Sequence, residues 1–325
     1  MQRASGLTTA KQPHKLPLIV FNSNEAAAID LADDPKSYLP RDFGAGVPPP
    51  VVNADDPAWG VGSAFFVWIA SMVLIVVMPL LFLLPYASSK GLHTSDPNYV
   101  KALAVLALND RTAVLLQVVA LLPSHLLTLV LIWAVVTRFG QKPFWRTIGW
   151  SWSGKLEIWL WVALGVGLFI VGSTLAWVLG SAKPTQLEQI INSSLAARYT
   201  ISLLAVATAP FVEEFMYRGV LYAPLQKLAG APAAVCLVLA LFTIIHVPQY
   251  WPNAGVIAAV ALLSIALTLV RAYTHRLLPC IIIHLVFNGI QAVLLIAEPY
   301  AQKILPGSEP VNPTFILLPL IHLIR

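Results

Sequence analysis

The sequence predicts an all-α fold, a polytopic transmembrane bundle of about seven to eight helices. Two features of the composition and one of the patterning predict it. The 325-residue chain is 58% hydrophobic and only 11% charged, where ordinary soluble domains carry about 25% charged residues. Its apolar residues fall in successive runs of spanning length, which means about 20 residues per helix. The net charge of +5 comes without any run of basic residues, so it fits Lys and Arg in cytoplasmic loops and not a nucleic-acid site. Cys236 and Cys280 both fall in apolar runs. They read as buried small side chains, with neither a disulfide framework nor zinc-ligand spacing.

Residues 1–59 are polar and rich in Pro, Ala and Asp. The stretch GAGVPPPVVNADDPAWG cannot form a helix and makes a poor strand. This region is expected to be a mostly disordered cytoplasmic tail, with a short ordered piece at Leu16–Phe21. Its start lacks an apolar region long enough for a cleavable signal, so targeting falls to the first spanning helix. Residues 60–325 form the membrane domain.

The first span is expected over Val61–Leu84, led by Phe65, Phe66 and Trp68, and the second over Thr112–Val136. His125 inside the second span reads as a polar residue packed in the bundle. The third covers Leu156–Gly180, with Trp150, Trp152, Trp159 and Trp161 as an interfacial belt. The glycines of its GVG and VGS stretches suit close helix packing. An acidic segment follows at Tyr199–Tyr222, then spans over Pro232–His246, Gly255–Ala272 and Leu277–Ala297. The run VPQYWPNAG after His246 reads as a breaker. A last stretch, Phe315–Ile324, is short for a span.

Counting eight spans with the N-terminus in the cytoplasm puts thirteen of the 20 Lys and Arg on the cytoplasmic side. Six fall on the other side and Arg218 lies within the membrane. The loop between spans two and three and the Arg271/Arg276 loop decide that orientation. The expected location is the plasma (inner) membrane of a bacterium, as a multi-pass protein in its lipid bilayer.

The acidic segment carries Glu213, Glu214 and Arg218 in an otherwise apolar run. One ionised side chain at the bilayer centre costs roughly 2.5–3.5 kcal/mol on insertion scales. Glu214 and Arg218, four apart, share a helix face and can pair. Glu213 is rotated by about 100° and faces elsewhere, so one carboxylate is structural and the other is free to work. Two further spans bring polar groups into apolar surroundings: Phe242 and His246 four apart on one, His284 and Asn288 four apart on the other. Polar residues in spans face the interior or water, so the three segments are expected to share a cavity.

The residue types limit the chemistry. No Ser or Cys lies beside a recognisable base, and there is neither an HExxH signature nor a phosphate loop. A carboxylate with histidine suits activation of water. Either Glu213 is the general base with His246, or the group holds a metal that lowers the pKa of the water. His284 and Asn288 can donate to a developing oxyanion. The implied reaction is hydrolysis of an amide. Counted along ideal helices, Glu213 and His284 fall nearer the cytoplasmic side and His246 deeper, which irregular or tilted helices would reconcile.

EEFMYR (Glu213–Arg218), FTIIH (Phe242–His246) and HLVFN (His284–Asn288) fit EExxxR, FxxxH and HxxxN motifs. In this order and spacing they resemble the CPBP family of type II CAAX prenyl endopeptidases and bacteriocin-processing or self-immunity proteins. The resemblance covers about Tyr199–Ala297, the expected catalytic core. It implies an intramembrane endopeptidase in which Glu213 and His246 activate water and His284 and Asn288 stabilise the oxyanion. Glu214, Arg218 and Phe242 would give structural support. It also implies a peptide or membrane-protein substrate, C-terminally processed or prenylated. Members are described both as metalloproteases and as metal-free glutamic proteases. Glu213, His246 and His284 could make a three-ligand zinc site, and the same residues serve a metal-free mechanism, which the roles already filled favour. The alternative is a non-catalytic binding or immunity-type membrane protein on the same fold. A proton-relaying transporter would call for paired broken helices in two halves, and the sequence displays none.

Overall fold

The computed structural model describes residues 54–152, 155–181 and 183–304. The Leu16–Phe21 piece and the Phe315–Ile324 stretch lie outside the described residues. Every regular element among the described residues is helical, and the chain is an all-α membrane bundle. Among the described residues, six helical runs are long and apolar enough to cross a membrane.

Helix α1 (Val61–Ser89) starts where the first span was expected and runs about a turn longer. Large apolar side chains along it, such as Phe66, Val76 and Leu81, are exposed, as suits a surface whose solvent is lipid. The second span is two helices in line, α3 (Arg111–Val119) and α4 (Leu121–Thr137). Asp110 caps α3 by accepting from the Thr112 and Ala113 amides, both at 2.9 Å, which supplies partners for otherwise unpaired helix-start N–H groups. Between α1 and α3 lies α2 (Tyr99–Asn109), a short apolar helix with no buried residue. A four-residue helix, α5 (Phe144–Thr147), precedes the third span, α6 (Lys155–Val178).

The glycines of α6 divide by role. A Cβ on Gly165 would come 2.9 Å from Val286 Cβ, and one on Gly172 would come 3.2 Å from Ala259 Cβ. Only glycine lets the neighbouring helices approach so closely there. Gly167 has nothing within 4 Å, so close packing does not explain it.

The acidic segment departs most from the expected single helix. It is α8 (Leu195–Ala207), a break at Thr208, then α9 (Ala209–Glu214) and a π-helical stretch (Phe215–Leu221). Ahead of it, α7 (Gln186–Ser193) opens with a capping box in which Thr185 and Glu188 satisfy each other's backbone N–H. The π-helical stretch passes into α10 (Tyr222–Tyr250). The continuous run Ala209–Tyr250 has 42 residues, about 63 Å at 1.5 Å per residue. That is twice the hydrocarbon thickness. It is divided into two arms at Gly230, where φ is 82°, a left-handed conformation glycine adopts without steric cost.

The second arm corrects the breaker expected after His246. Val247, Pro248, Gln249 and Tyr250 remain helical, and the helix ends at Trp251. A proline disfavours helix in the residue before it without forbidding it, and here the helix continues through it. Helix α11 (Ala254–Thr274) is capped by Asn253, whose side chain accepts from the Val256 amide at 3.1 Å. Helix α12 (Leu278–Ile304) runs beyond the expected Ala297.

Three further expectations change. Residues 54–59, expected to close the disordered tail, pack on the bundle, and Trp59 is buried. Arg271, counted as a loop cation, is fully buried in an ion pair with Asp55 at 2.8 Å. Cys236 is exposed, and only Cys280 is buried; both are free.

Candidate active site

The π-helical stretch follows immediately on Glu213 and Glu214. Such insertions in α-helices are rare and occur often at functional sites. Glu214 and Arg218 are fully buried, and they pair, Arg218 Nη1 donating to Glu214 Oε1 at 2.9 Å. The other two guanidinium nitrogens also find partners. Nη2 reaches Ser264 O at 2.8 Å and Ser264 Oγ at 3.0 Å, and Nε reaches Thr268 Oγ1 at 3.2 Å. Helix α11 thus cradles Arg218, and Phe242 closes the other side with its ring 4.8 Å from the guanidinium carbon. A buried charge needs this degree of pairing to be tolerated.

Glu214 Oε1 also meets His284 Nδ1 at 2.7 Å. A carboxylate only accepts, so Nδ1 carries the proton and Nε2 is turned the other way. His284 Nε2 stands 3.7 Å from Glu213 Oε2. The carboxylate of Glu213 is the more open of the two, with a quarter of its side chain exposed (24%). So Glu214 is enclosed by Arg218 and His284, while Glu213 faces space.

His246 is fixed on three sides. Its Nδ1 lies 2.6 Å from the carbonyl oxygen of Phe242, one turn back, which again leaves Nε2 as the free ring nitrogen. Its ring lies between those of Phe242, at 4.6 Å, and Tyr250, at 6.2 Å with an interplanar angle of 10°. Phe242 therefore serves both Arg218 and His246. The helical extension to Tyr250 supplies the second stacking ring. The irregular backbone, with its break at Thr208, its π-helical stretch and its Gly230 divide, brings His246 to the same cavity as the other groups.

Asn288 spends one amide N–H on Ala205 O of α8, at 2.9 Å. The second N–H and the side-chain carbonyl are left for other partners. Glu213, His246, His284 and Asn288 all line one cavity of about 420 Å³. Most of its other lining is apolar, from α1 to α4 and α7 to α12, with Gln117 and Gln291 among the polar exceptions.

Three lining residues were not singled out for the site from sequence. Tyr217 lies in the cavity wall with its hydroxyl accepting from Trp68 Nε1 at 3.0 Å. Tyr250 is the stacking partner already described. His125 is packed in the bundle, as its position suggested, with Nδ1 2.8 Å from Thr208 Oγ1, but it also lines the cavity. Its signal was the same as that of His246, a lone polar residue in a span. It lacked a motif partner four residues away.

The zinc alternative can be tested on the donor geometry. Among the described residues, no three His, Cys, Asp or Glu side chains come together as a ligand set. Glu213, His246 and His284 share the cavity, but in this arrangement they do not fit a three-ligand zinc site, which needs donors at about 2.0–2.2 Å from one point.

The family model described as Type II CAAX prenyl endopeptidase Rce1-like matches residues 194–290. No curated protein and no solved structure matches the chain. The matched segment contains all three motifs, with Glu213, His246, His284 and Asn288, whereas Gln117, His125 and Gln291 of the cavity lie outside it. Over that segment the chain is similar to type II CAAX prenyl endopeptidases, which supports the CPBP resemblance carried by its three motifs.

Proposed function

We propose that the protein is an intramembrane endopeptidase of glutamate type. The observation that carries the reading is the unequal treatment of two adjacent carboxylates. Glu214 is buried between Arg218 and His284, while Glu213 opens on the cavity within 3.7 Å of His284 Nε2. A working base needs a free carboxylate beside the reacting atoms, and a neighbour to hold its surroundings in place.

In this reading Glu213 takes a proton from a water held between it and His246 Nε2. The water oxygen attacks the carbonyl carbon of the scissile amide. Negative charge gathers on the carbonyl oxygen, where the second Nδ2–H of Asn288 and a protonated His284 Nε2 donate. The C–N bond then breaks, and the proton on Glu213 passes to the leaving amine. Phe242 and Tyr250 hold the His246 ring, and Arg218 holds Glu214 under His284. The substrate is a peptide or membrane-protein segment, with prenylated C termini among the candidates the family suggests. The N-terminus faces the cytoplasm by the Lys and Arg balance, in a bacterial plasma membrane.

The test uses wild type and Glu213→Gln, purified in detergent and assayed on a peptide library with and without a strong chelator. The expected result is cleavage by wild type that survives chelation and is lost in the variant. Cleavage abolished by the chelator and restored by zinc would overturn the metal-free mechanism. No cleavage by wild type under any of these conditions would favour the non-catalytic binding protein.

A further inference from the structure

Two carbonyls of the π-helical stretch are tied from outside their own helix. Arg271 Nε donates to Arg218 O at 3.2 Å, and Trp59 Nε1 donates to Val220 O at 2.9 Å. Arg271 is fully buried and Trp59 only 7% exposed. The two donors are themselves joined. Arg271 Nη1 pairs with Asp55 at 2.8 Å, and its Nη2 reaches Ala54 O at 3.3 Å. The Arg271 guanidinium also lies over the Tyr222 ring, 5.6 Å from its centre. Asp55 holds His275 as well. Further out, Arg138 donates to Ala58 O at 2.6 Å, and Lys227 pairs with Asp56 on the exposed surface. Residues 54–59 therefore form a strap across the stretch that follows the two glutamates.

The physical need for a strap is clear. A π-helical stretch is a rare variant of the α-helix, held against reversion by local contacts. Buried carbonyls require partners. If the stretch returned to i→i−4 pairing, the one-residue change of register would rotate everything beyond it by about 100°. Tyr222 and Leu225, buried at the start of α10, would then turn away from the core.

We infer that Trp59 and Arg271 are positioning residues for the proposed hydrolysis. They hold the backbone of the stretch at Arg218 and Val220, and through it the Arg218 side chain on Glu214, Glu214 on His284, and His284 against Glu213. The chemical half of this inference rests on the peptidase reading; the structural half stands without it. Both Trp59 and Asp55 lie outside the segment that the family model matches, so the strap is contributed by the rest of this chain.

Three variants of the full chain separate positioning from mere anchoring. Trp59→Phe keeps a ring in place and removes the N–H. Arg271→Lys keeps a cation opposite Asp55 and removes the Nε–H that reaches Arg218 O. Lys227→Ala releases only the exposed pair. Hydrogen exchange is measured by mass spectrometry in lipid nanodiscs, with kcat and KM on a cleaved library peptide. In Trp59→Phe and Arg271→Lys, the amides of residues 215–226 should exchange at least about tenfold faster, with α6 and α12 unchanged. Their kcat should fall about tenfold to a hundredfold, with KM within about twofold of wild type. Lys227→Ala should change neither. Unchanged exchange over 215–226, or faster exchange spread evenly over the bundle, would overturn the inference. Should wild type cleave nothing, the peptidase reading fails on its own account, and the exchange measurement still decides the strap.

Discussion

Arg218→Ala is the sharpest test of the buried network. The substitution removes the guanidinium from a fully buried position and leaves the Glu214 carboxylate with only His284 Nδ1 at 2.7 Å. Breaking a buried ion pair by deleting one partner costs about 3–5 kcal/mol, because the other charge is left uncompensated. The lost contacts to Ser264, Thr268 and the Phe242 ring belong to the same network and do not simply add to that figure. At about 2–4 °C per kcal/mol for a domain of this size, the melting temperature should fall by roughly 6–20 °C. The assay is thermal unfolding in detergent, with membrane yield as a second readout. A paired variant sharpens it. Arg218→Leu with Glu214→Gln removes both charges, keeps an acceptor for His284, and should recover most of the loss. A melting temperature for Arg218→Ala within about 2 °C of wild type, under about 1 kcal/mol by the same scale, would refute the account of Glu214 as a carboxylate held by Arg218.

Other substitutions probe the site and its frame separately. Glu213→Gln should lower kcat by about a hundredfold to ten-thousandfold, while the melting temperature reports a change below about 1 kcal/mol. Tyr250→Leu removes one stacking ring from His246 and should cost up to about tenfold in kcat, the kinetic equivalent of one aromatic contact, with little change in thermal unfolding. Gly255→Ala should destabilise the bundle by about 1–3 kcal/mol or more, because the added Cβ would meet Leu175 O at 2.3 Å and Ala176 Cα at 2.7 Å, which are backbone atoms. Gly167→Ala, with nothing within 4 Å, should be neutral or stabilising by up to about 1 kcal/mol in the same unfolding assay.

The fold class and most helix positions were legible because lipid imposes length and apolarity on each span. The i,i+4 reading of Glu214 and Arg218 likewise pointed at a pair that does form, and the spacing within FTIIH and HLVFN at groups that do meet in one cavity. What could not be read is irregular backbone. The break at Thr208 and the π-helical stretch leave no mark in hydropathy, since AVATAPFV and FMYRGVL are apolar whichever way their carbonyls pair. The helix through Pro248 was missed because a breaker is a statistical signal, and packing of the second α10 arm outweighs it. The capping box at Thr185 and Glu188 was readable from its spacing and passed unnoticed among longer apolar runs. Asp55 and Trp59 were hidden by their Pro-rich surroundings, and nothing local in DDPAW indicates partners more than 160 positions away.

Part of the cavity wall has a different origin from its chemistry. Glu213, His246, His284 and Asn288 lie inside the 194–290 segment, whereas Met72, Ile75, Pro79, Val114 and Leu121, which face them, come from α1, α3 and α4. A change of lining on those helices would reshape what fits the chamber and leave the reacting groups untouched. If the proposed hydrolysis holds, selectivity can therefore drift independently of catalysis, so two proteins sharing all three motifs need share no substrate. Exchanging residues 61–137 between such proteins would transfer preference without transferring the reaction.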